Sequence, residues 1–109
     1  MISEREIERY FKAQLEKRGA LVFKFVSPGQ AGVPDRVVLL PGGRVVFAEM
    51  KAPGEKPRPL QRAVFSRMAR AGHPVYIIDS REAVKKFMEE VTPDAIQSAS
   101  VSGGSDSTP

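Results

Sequence analysis

The stretch that decides the fold is residues 32–51, which read GVPDRVVLLPGGRVVFAEMK. Two apolar runs rich in β-branched residues flank a Pro-Gly-Gly tripeptide at residues 41–43, a composition typical of a tight turn between paired strands. We therefore predict a β-hairpin with strands at residues 35–40 and 44–51. Pairing around this turn brings residues near 35 opposite residues near 49.

Outside the hairpin, helical and strand patterns alternate. A capping box at residues 3–6 begins a predicted helix over residues 4–18, which ends at Gly19, and a strand follows over residues 20–26. After a proline-rich loop at residues 52–59, we predict a helix over 60–71, a strand over 74–79 and a helix to about residue 90. The order αβββαβα predicts an α/β fold, in which a helical crossover allows the fourth strand to lie parallel to a neighbour.

Composition excludes several classes of protein. The 109 residues include 17 basic and 13 acidic side chains, no Cys and one His, so disulfides, thiolate zinc sites and poly-histidine sites are excluded. Without an apolar run of about 18 residues or a signal peptide, we expect a cytoplasmic protein with no membrane span. We expect one domain over residues 1–91 and a disordered Ser/Gly-rich tail over residues 92–109.

The basic residues cluster after the third strand. Residues 51–70 contain six Lys or Arg and a single acid, Glu55. A basic surface favours a polyanionic partner such as nucleic acid, although a basic solvated surface is the simpler alternative.

Charged residues on the apolar strands indicate where chemistry could occur, because a buried charge needs a partner. Alternation along the third strand places Glu49 and Lys51 on one face, and the hairpin register brings Asp35 within reach of Glu49. Two carboxylates beside a lysine are suited to a hard divalent cation such as Mg²⁺, which can hold phosphate oxygens and lower the pKa of a bound water. The alternative to a metal site is that Asp35 is a turn residue and that Glu49 and Lys51 form a surface ion pair.

These residues carry a resemblance to a known family. Gly32-Val33-Pro34-Asp35, followed by Glu49-Met50-Lys51 on the next strand, resembles the PD-(D/E)XK nuclease signature. The longer pattern, which adds residues 24–29, 52–54 and Leu60-Gln61, resembles the stand-alone VRR-NUC proteins of bacteria and phages over about residues 4–90. The resemblance implies a restriction-endonuclease-like αβββαβ core with a C-terminal helix. It also implies a divalent-metal-dependent DNA endonuclease, acting as a homodimer on branched DNA such as four-way (Holliday) junctions.

The resemblance also implies roles for individual residues. Asp35 and Glu49 would be catalytic metal ligands for Mg²⁺, with Mn²⁺ as a substitute, and Lys51 would be the catalytic lysine. The Met50 carbonyl could add a ligand. The family also uses a Glu from the first helix, for which we prefer Glu8 over Glu4; the alternative for either is stabilisation of the helix dipole.

Further predicted residues lie on the second helix and the basic segments. Gln61 falls within the apolar arc of its helix, where a polar side chain needs a partner. The resemblance makes it a catalytic-site hydrogen bonder, and the alternative is a helix cap. The predicted nucleic-acid contacts are Lys24, Lys56, Arg58 and Arg62, each of which could instead belong to a solvated face.

The sequence is also compatible with functions other than a nuclease. No P-loop is present, so no nucleotide cofactor is expected. A non-catalytic nucleic-acid-binding module on the same fold is the main alternative. A partner-dependent subunit, docked through the tail, is another.

Overall fold

The predicted order of helices and strands is confirmed. In the computed structural model, which describes residues 2–91, the elements are α1 (Glu4–Glu16), β1 (Leu21–Lys24), β2 (Arg36–Leu39), β3 (Val45–Met50), α2 (Pro59–Arg70), β4 (Val75–Ile78) and α3 (Arg81–Val91). The strands are one or two residues shorter at each end than their apolar runs. The first helix ends at Glu16 rather than at residue 18. Its last carbonyls are capped by the chain that follows: the Gly19 N–H donates to the Glu16 carbonyl, and the Ala20 N–H donates to the Leu15 carbonyl.

The sheet has the strand order β1-β2-β3-β4, with β4 parallel to β3 and the other neighbours antiparallel. The turn between β2 and β3 uses Gly42 and Gly43 with φ of 89° and 93°, a region that glycine adopts without steric cost. This turn pairs Arg36 with Ala48, so that Asp35, one step further, lies opposite Glu49. The predicted register is therefore confirmed.

The hydrophobic core lies between one face of the sheet and the two helices α1 and α3. Its members include Ile7 and Phe11 from α1, Val84 and Phe87 from α3, and Val38 from the central strands, and the Phe11 and Phe87 rings are 5.1 Å apart. The face that carries Val22, Val38, Ala48, Met50 and Ile78 points into this core. The opposite face of the sheet is left to α2.

The α2 face of the sheet is only partly covered. Val64 and Phe65 of α2 are buried, but they lie outside the main core cluster. On β1 and β3, Leu21, Phe23 and Val45 are 49%, 52% and 44% exposed. The apolar run at residues 74–79 predicts a buried strand, which is wrong for most of β4: only Ile78 is buried, because β4 forms an edge of the sheet.

Two further expectations concern the ends and surroundings of the domain. Among residues 2–91, none of the helices is long and apolar enough to cross a membrane. The tail predicted at residues 92–109 lies outside the described residues.

Candidate active site

Asp35 and Glu49 lie side by side at the end of the central hairpin. The Asp35 backbone N–H donates to Glu49 Oε1 over 3.1 Å, and the Met50 backbone N–H donates to Asp35 Oδ1 over 3.0 Å. Each carboxylate thus accepts a main-chain hydrogen bond from the opposite strand, which fixes both side chains. Glu49 is 4% exposed and is the only buried charged residue among residues 2–91.

Lys51 and Gln61 complete a polar network around Glu49. Lys51 Nζ lies 3.2 Å from Glu49 Oε2 and donates to Gln61 Oε1 over 3.1 Å. Gln61 Nε2 in turn donates to Glu49 Oε2 over 2.9 Å. The ion pair is largely removed from solvent, so it differs from the surface pair considered as an alternative.

Gln61 makes the contacts expected of a helix cap and also hydrogen-bonds with the charged residues of the network. Besides its contacts with Lys51 and Glu49, its Oε1 accepts the Arg58 backbone N–H over 2.9 Å, one of the free donors at the start of α2. Pro59 occupies the first turn of the helix and needs no such acceptor. One amide therefore caps α2 and holds the buried carboxylate.

The electrostatics of the pair depend on burial. Loss of solvent raises the pKa of Glu49, and the neighbouring Asp35 carboxylate raises it further, whereas the hydrogen bonds and charge from Lys51 and the hydrogen bond from Gln61 act in the opposite direction. The effects of burial and of the Asp35 charge are the larger ones, so the pKa of Glu49 is raised overall. A cation placed between the two carboxylates would reverse the effect of the like charges.

Arg36 links the first helix to this site, a role that the sequence analysis does not predict. Its Nε lies 3.6 Å from Glu8 Oε2, and its Nη1 lies 3.5 Å from Asp35 Oδ2. The Arg36 side chain is 12% exposed, and Nε is buried without a hydrogen-bond partner among the described residues. A signal was present, because alternation places Arg36 on the same face as the buried residues Val38 and Leu40.

The predicted metal ligands are only partly brought together. Asp35 and Glu49 form a pair of hard oxygen donors, which fits a divalent cation that keeps several waters or phosphate oxygens as further ligands. Within residues 2–91, no group of three or more Asp, Glu, His or Cys side chains is arranged to hold a metal. Glu8 pairs with Arg36, whereas Glu4 is exposed on α1. The Met50 side chain is in the core, which leaves only its carbonyl for the predicted role.

Comparison with known proteins identifies the family. The chain is 46% identical over 82 residues to "Putative nuclease p44" of Acyrthosiphon pisum secondary endosymbiont phage 1, which covers 75% of this chain and 88% of p44. A solved structure described as a VRR_NUC domain matches with a TM-score of 0.75 and 34% identity, over 81% of this chain and 96% of that chain. The chain belongs to the VRR-NUC nuclease family. In the scan against protein-family models, no model matches.

Membership of the VRR-NUC family confirms the resemblance drawn from the Pro34-Asp35 and Glu49-Met50-Lys51 motifs, together with the predicted α/β fold. In this VRR-NUC protein the two motifs meet because the glycine turn sets the hairpin register. The polar network at their meeting point is the candidate active site.

Three of the four predicted nucleic-acid contacts lie around the start of α2 in this VRR-NUC domain. Lys56 and Arg58 are exposed on the loop that leads from Lys51 to the helix, and Arg62 is exposed on its first turn. The loop is folded: Arg62 Nη1 donates to the Pro57 carbonyl over 2.8 Å, and the Ala52 N–H donates to Glu55 Oε1 over 2.9 Å. Lys24 is exposed at the end of β1, opposite Arg36.

Proposed function

We propose that this VRR-NUC protein is a divalent-metal-dependent endonuclease that hydrolyses phosphodiester bonds in DNA, in the cytoplasm of a bacterial or phage-infected cell. The observation that carries the proposal is the network of Asp35, Glu49, Lys51 and Gln61, in which a 4% exposed glutamate is kept next to a second carboxylate. Such an arrangement of like charges is unfavourable for a purely structural purpose and is common at catalytic sites.

Each residue has a defined place in the proposed reaction. Asp35 and Glu49, with the Met50 carbonyl, would hold the Mg²⁺ or Mn²⁺ ion. When bound, the ion supplies positive charge to the phosphate oxygens and makes an attacking water more acidic. Lys51, held by Glu49 and Gln61, would orient that water and neutralise the charge that develops on the phosphate. Gln61 holds both of these side chains in position.

The basic residues support DNA as the substrate. Lys56, Arg58 and Arg62 are exposed on the loop and the helix start that follow Lys51. We propose that they contact backbone phosphates on either side of the cleaved bond. Contacts of this kind fix the position of the DNA without reading its bases. We propose that selectivity depends on DNA shape, with branched DNA such as a four-way junction as the preferred substrate.

The open α2 face of the sheet supports a homodimer. Leu21, Leu39 and Val45 form one row across β1, β2 and β3, and Phe23 begins the next row. Exposed apolar surface of this kind is typical of protein interfaces. Light scattering should report a dimer, and Phe23→Asp should convert it to a monomer; a wild-type monomer at micromolar concentration would contradict this part of the proposal.

The cleavage test uses labelled four-way junction, flap and duplex DNA with Mg²⁺, Mn²⁺ or EDTA. We expect cleavage with either metal, none with EDTA, and preference for the junction. Asp35→Asn should reduce cleavage by at least about 100-fold, because it removes one of the two ion-holding charges. Glu90→Gln, which changes an exposed carboxylate on α3, is the control and should cleave normally.

Two results would decide against the proposal. Cleavage that is unchanged by Asp35→Asn would place the chemistry elsewhere. DNA binding without cleavage of any substrate would favour the non-catalytic binding module.

A further inference from the structure

A cavity of about 390 Å³ lies between the sheet and α2, beside the candidate active site. Aromatic and apolar side chains form most of its wall, and a few polar groups project into it; the lining includes Phe25, Ser27, Phe47, Val64, Arg67 and Met68. Cavities of roughly 300–1,000 Å³ with this composition are typical of sites for small organic groups. The nuclease network described above does not use any of these side chains.

Two side chains of the cavity wall lie on the same part of the sheet as the carboxylate pair. The Phe25 N–H donates to the Asp35 carbonyl over 2.9 Å, which extends the β1–β2 ladder so that Phe25, Asp35 and Glu49 form one row across the sheet. Phe47 lies two residues before Glu49 on the same face of β3. Val64 lies one helical turn after Gln61. A group bound in the cavity would therefore be adjacent to a phosphate held at Asp35 and Glu49.

The lining chemistry fits a nucleobase. Phe25 and Phe47 both line the cavity, and their ring centroids are 5.6 Å apart with the planes inclined at 56°. Aromatic side chains in such a wall are suited to stacking on a flat base. Ser27 and Arg67 can hydrogen-bond with the polar edge of such a ring. A single cation in a mostly apolar wall is poorly suited to a multiply charged ligand, whereas a base is apolar on its faces and polar at its edges.

We propose that this cavity accepts one unstacked base of the DNA substrate, next to the phosphodiester bond that is cut. The inference rests on the proposed nuclease function and extends it to the basis of selectivity. Extracting a base from a regular duplex costs a few kcal/mol, and this cost is smallest where the base is already unpaired or unstacked. The cavity would therefore favour branch points over continuous duplex without reading sequence.

The experiment combines a change in the protein with a change in the DNA. Binding of a labelled four-way junction and of duplex is measured by fluorescence anisotropy in EDTA at fixed ionic strength, because salt alone alters such affinities strongly. Phe25→Ala should weaken junction binding by roughly 5- to 150-fold, the range for loss of one base–aromatic stack, and leave duplex binding within about two-fold. Phe25→Leu, which keeps most of the volume, should give the same selective loss if the alanine variant does not fold.

The second change removes bases at the branch point by means of abasic nucleotides. Wild-type protein should bind this abasic junction about as weakly as Phe25→Ala binds the intact one, and the two changes together should add nothing further. Val26→Ala is the control, because Val26 is 77% exposed and does not line the cavity. It should bind every DNA as the wild type does.

The results separate this inference from the nuclease proposal. The base-binding role would be overturned if the wild type bound intact and abasic junctions equally, or if Phe25→Ala lost equal affinity for junction and duplex. Cleavage by the wild type with Mg²⁺ would still support a nuclease in either case. Failure to bind any DNA would overturn the base-binding role as well. Absence of cleavage with selective loss in Phe25→Ala would leave base binding supported and refute the enzyme.

Discussion

Replacing Gln61 by alanine tests whether the carboxylate pair depends on the second helix. The change removes three hydrogen bonds, to Glu49, Lys51 and the Arg58 N–H. The bond to the buried Glu49 carboxylate is worth about 1.5–3 kcal/mol, and the cap at Arg58 about 1 kcal/mol. Lys51 keeps Glu49 as a partner, so the loss of its hydrogen bond to Gln61 adds little to the destabilisation. We expect the free energy of unfolding to fall by about 2–4 kcal/mol.

Urea unfolding followed by circular dichroism, at neutral pH in EDTA, measures this loss. Ser66→Ala is the control, since Ser66 lies on the same helix and accepts an exposed hydrogen bond from Arg70. Its effect should stay within about 0.5 kcal/mol. A loss below about 1 kcal/mol in Gln61→Ala would refute the energetic importance of the network.

Gln61→Glu separates the two functions of the amide. This variant keeps oxygen acceptors for Lys51 and the Arg58 N–H, but it replaces the donor to Glu49 with another carboxylate. At neutral pH it should therefore be at least as unstable as Gln61→Ala and should recover as the pH falls and the carboxylates protonate. If Gln61→Glu were as stable as the wild type at neutral pH, the contact between residue 61 and Glu49 would not contribute to stability.

Three other predictions concern the same charges. Burial and the Asp35 carboxylate raise the pKa of Glu49 above its ordinary value of 4.5. The contribution of Glu49 to stability is therefore full below pH 4.5 and is lost as the pH rises through the raised pKa. Glu49→Gln should remove this pH dependence from the free energy of unfolding, measured with urea in EDTA. Lys51→Met leaves that carboxylate without its cation and should cost about 3 kcal/mol at neutral pH in the same assay, less in acid; no loss would contradict the ion pair. Arg36→Gln removes the cation shared by Glu8 and Asp35, so Mg²⁺ should raise its melting temperature more than that of the wild type; equal shifts would contradict this.

The sequence predicted the centre of the site because that part depends on local rules. A Pro-Gly-Gly turn leaves few registers for the hairpin, and a strand period of two then places Asp35 opposite Glu49. Lys51 follows from the same alternation. These inferences need no knowledge of how helices pack, which is why the structure places these three residues as expected.

Residues whose contacts depend on helix placement were harder to predict. Gln61 was recognised as a polar residue on an apolar arc, but its position between the Arg58 N–H and Glu49 depends on where α2 meets the sheet. The contacts of Arg36 cannot be read from the sequence although the residue interrupts an inward-facing row, because its partners Glu8 and Asp35 lie on different elements. The cavity behind Phe25 required three elements to be assembled, and no sequence period describes it.

The arrangement of donors around Glu49 explains how the fold holds two carboxylates side by side. The Asp35 N–H occupies one oxygen of Glu49, while Gln61 and Lys51 share the other, so the buried carboxylate has donors on both sides. These donors come from the residue before β2, from α2 and from the residue after β3, so they depend on how the helix packs on the sheet. Yet the pKa of Glu49 is still raised, which means that they do not fully offset burial and the Asp35 charge. A divalent cation between the two carboxylates would offset their remaining repulsion. The network that positions these carboxylates in the folded domain therefore also favours the proposed metal.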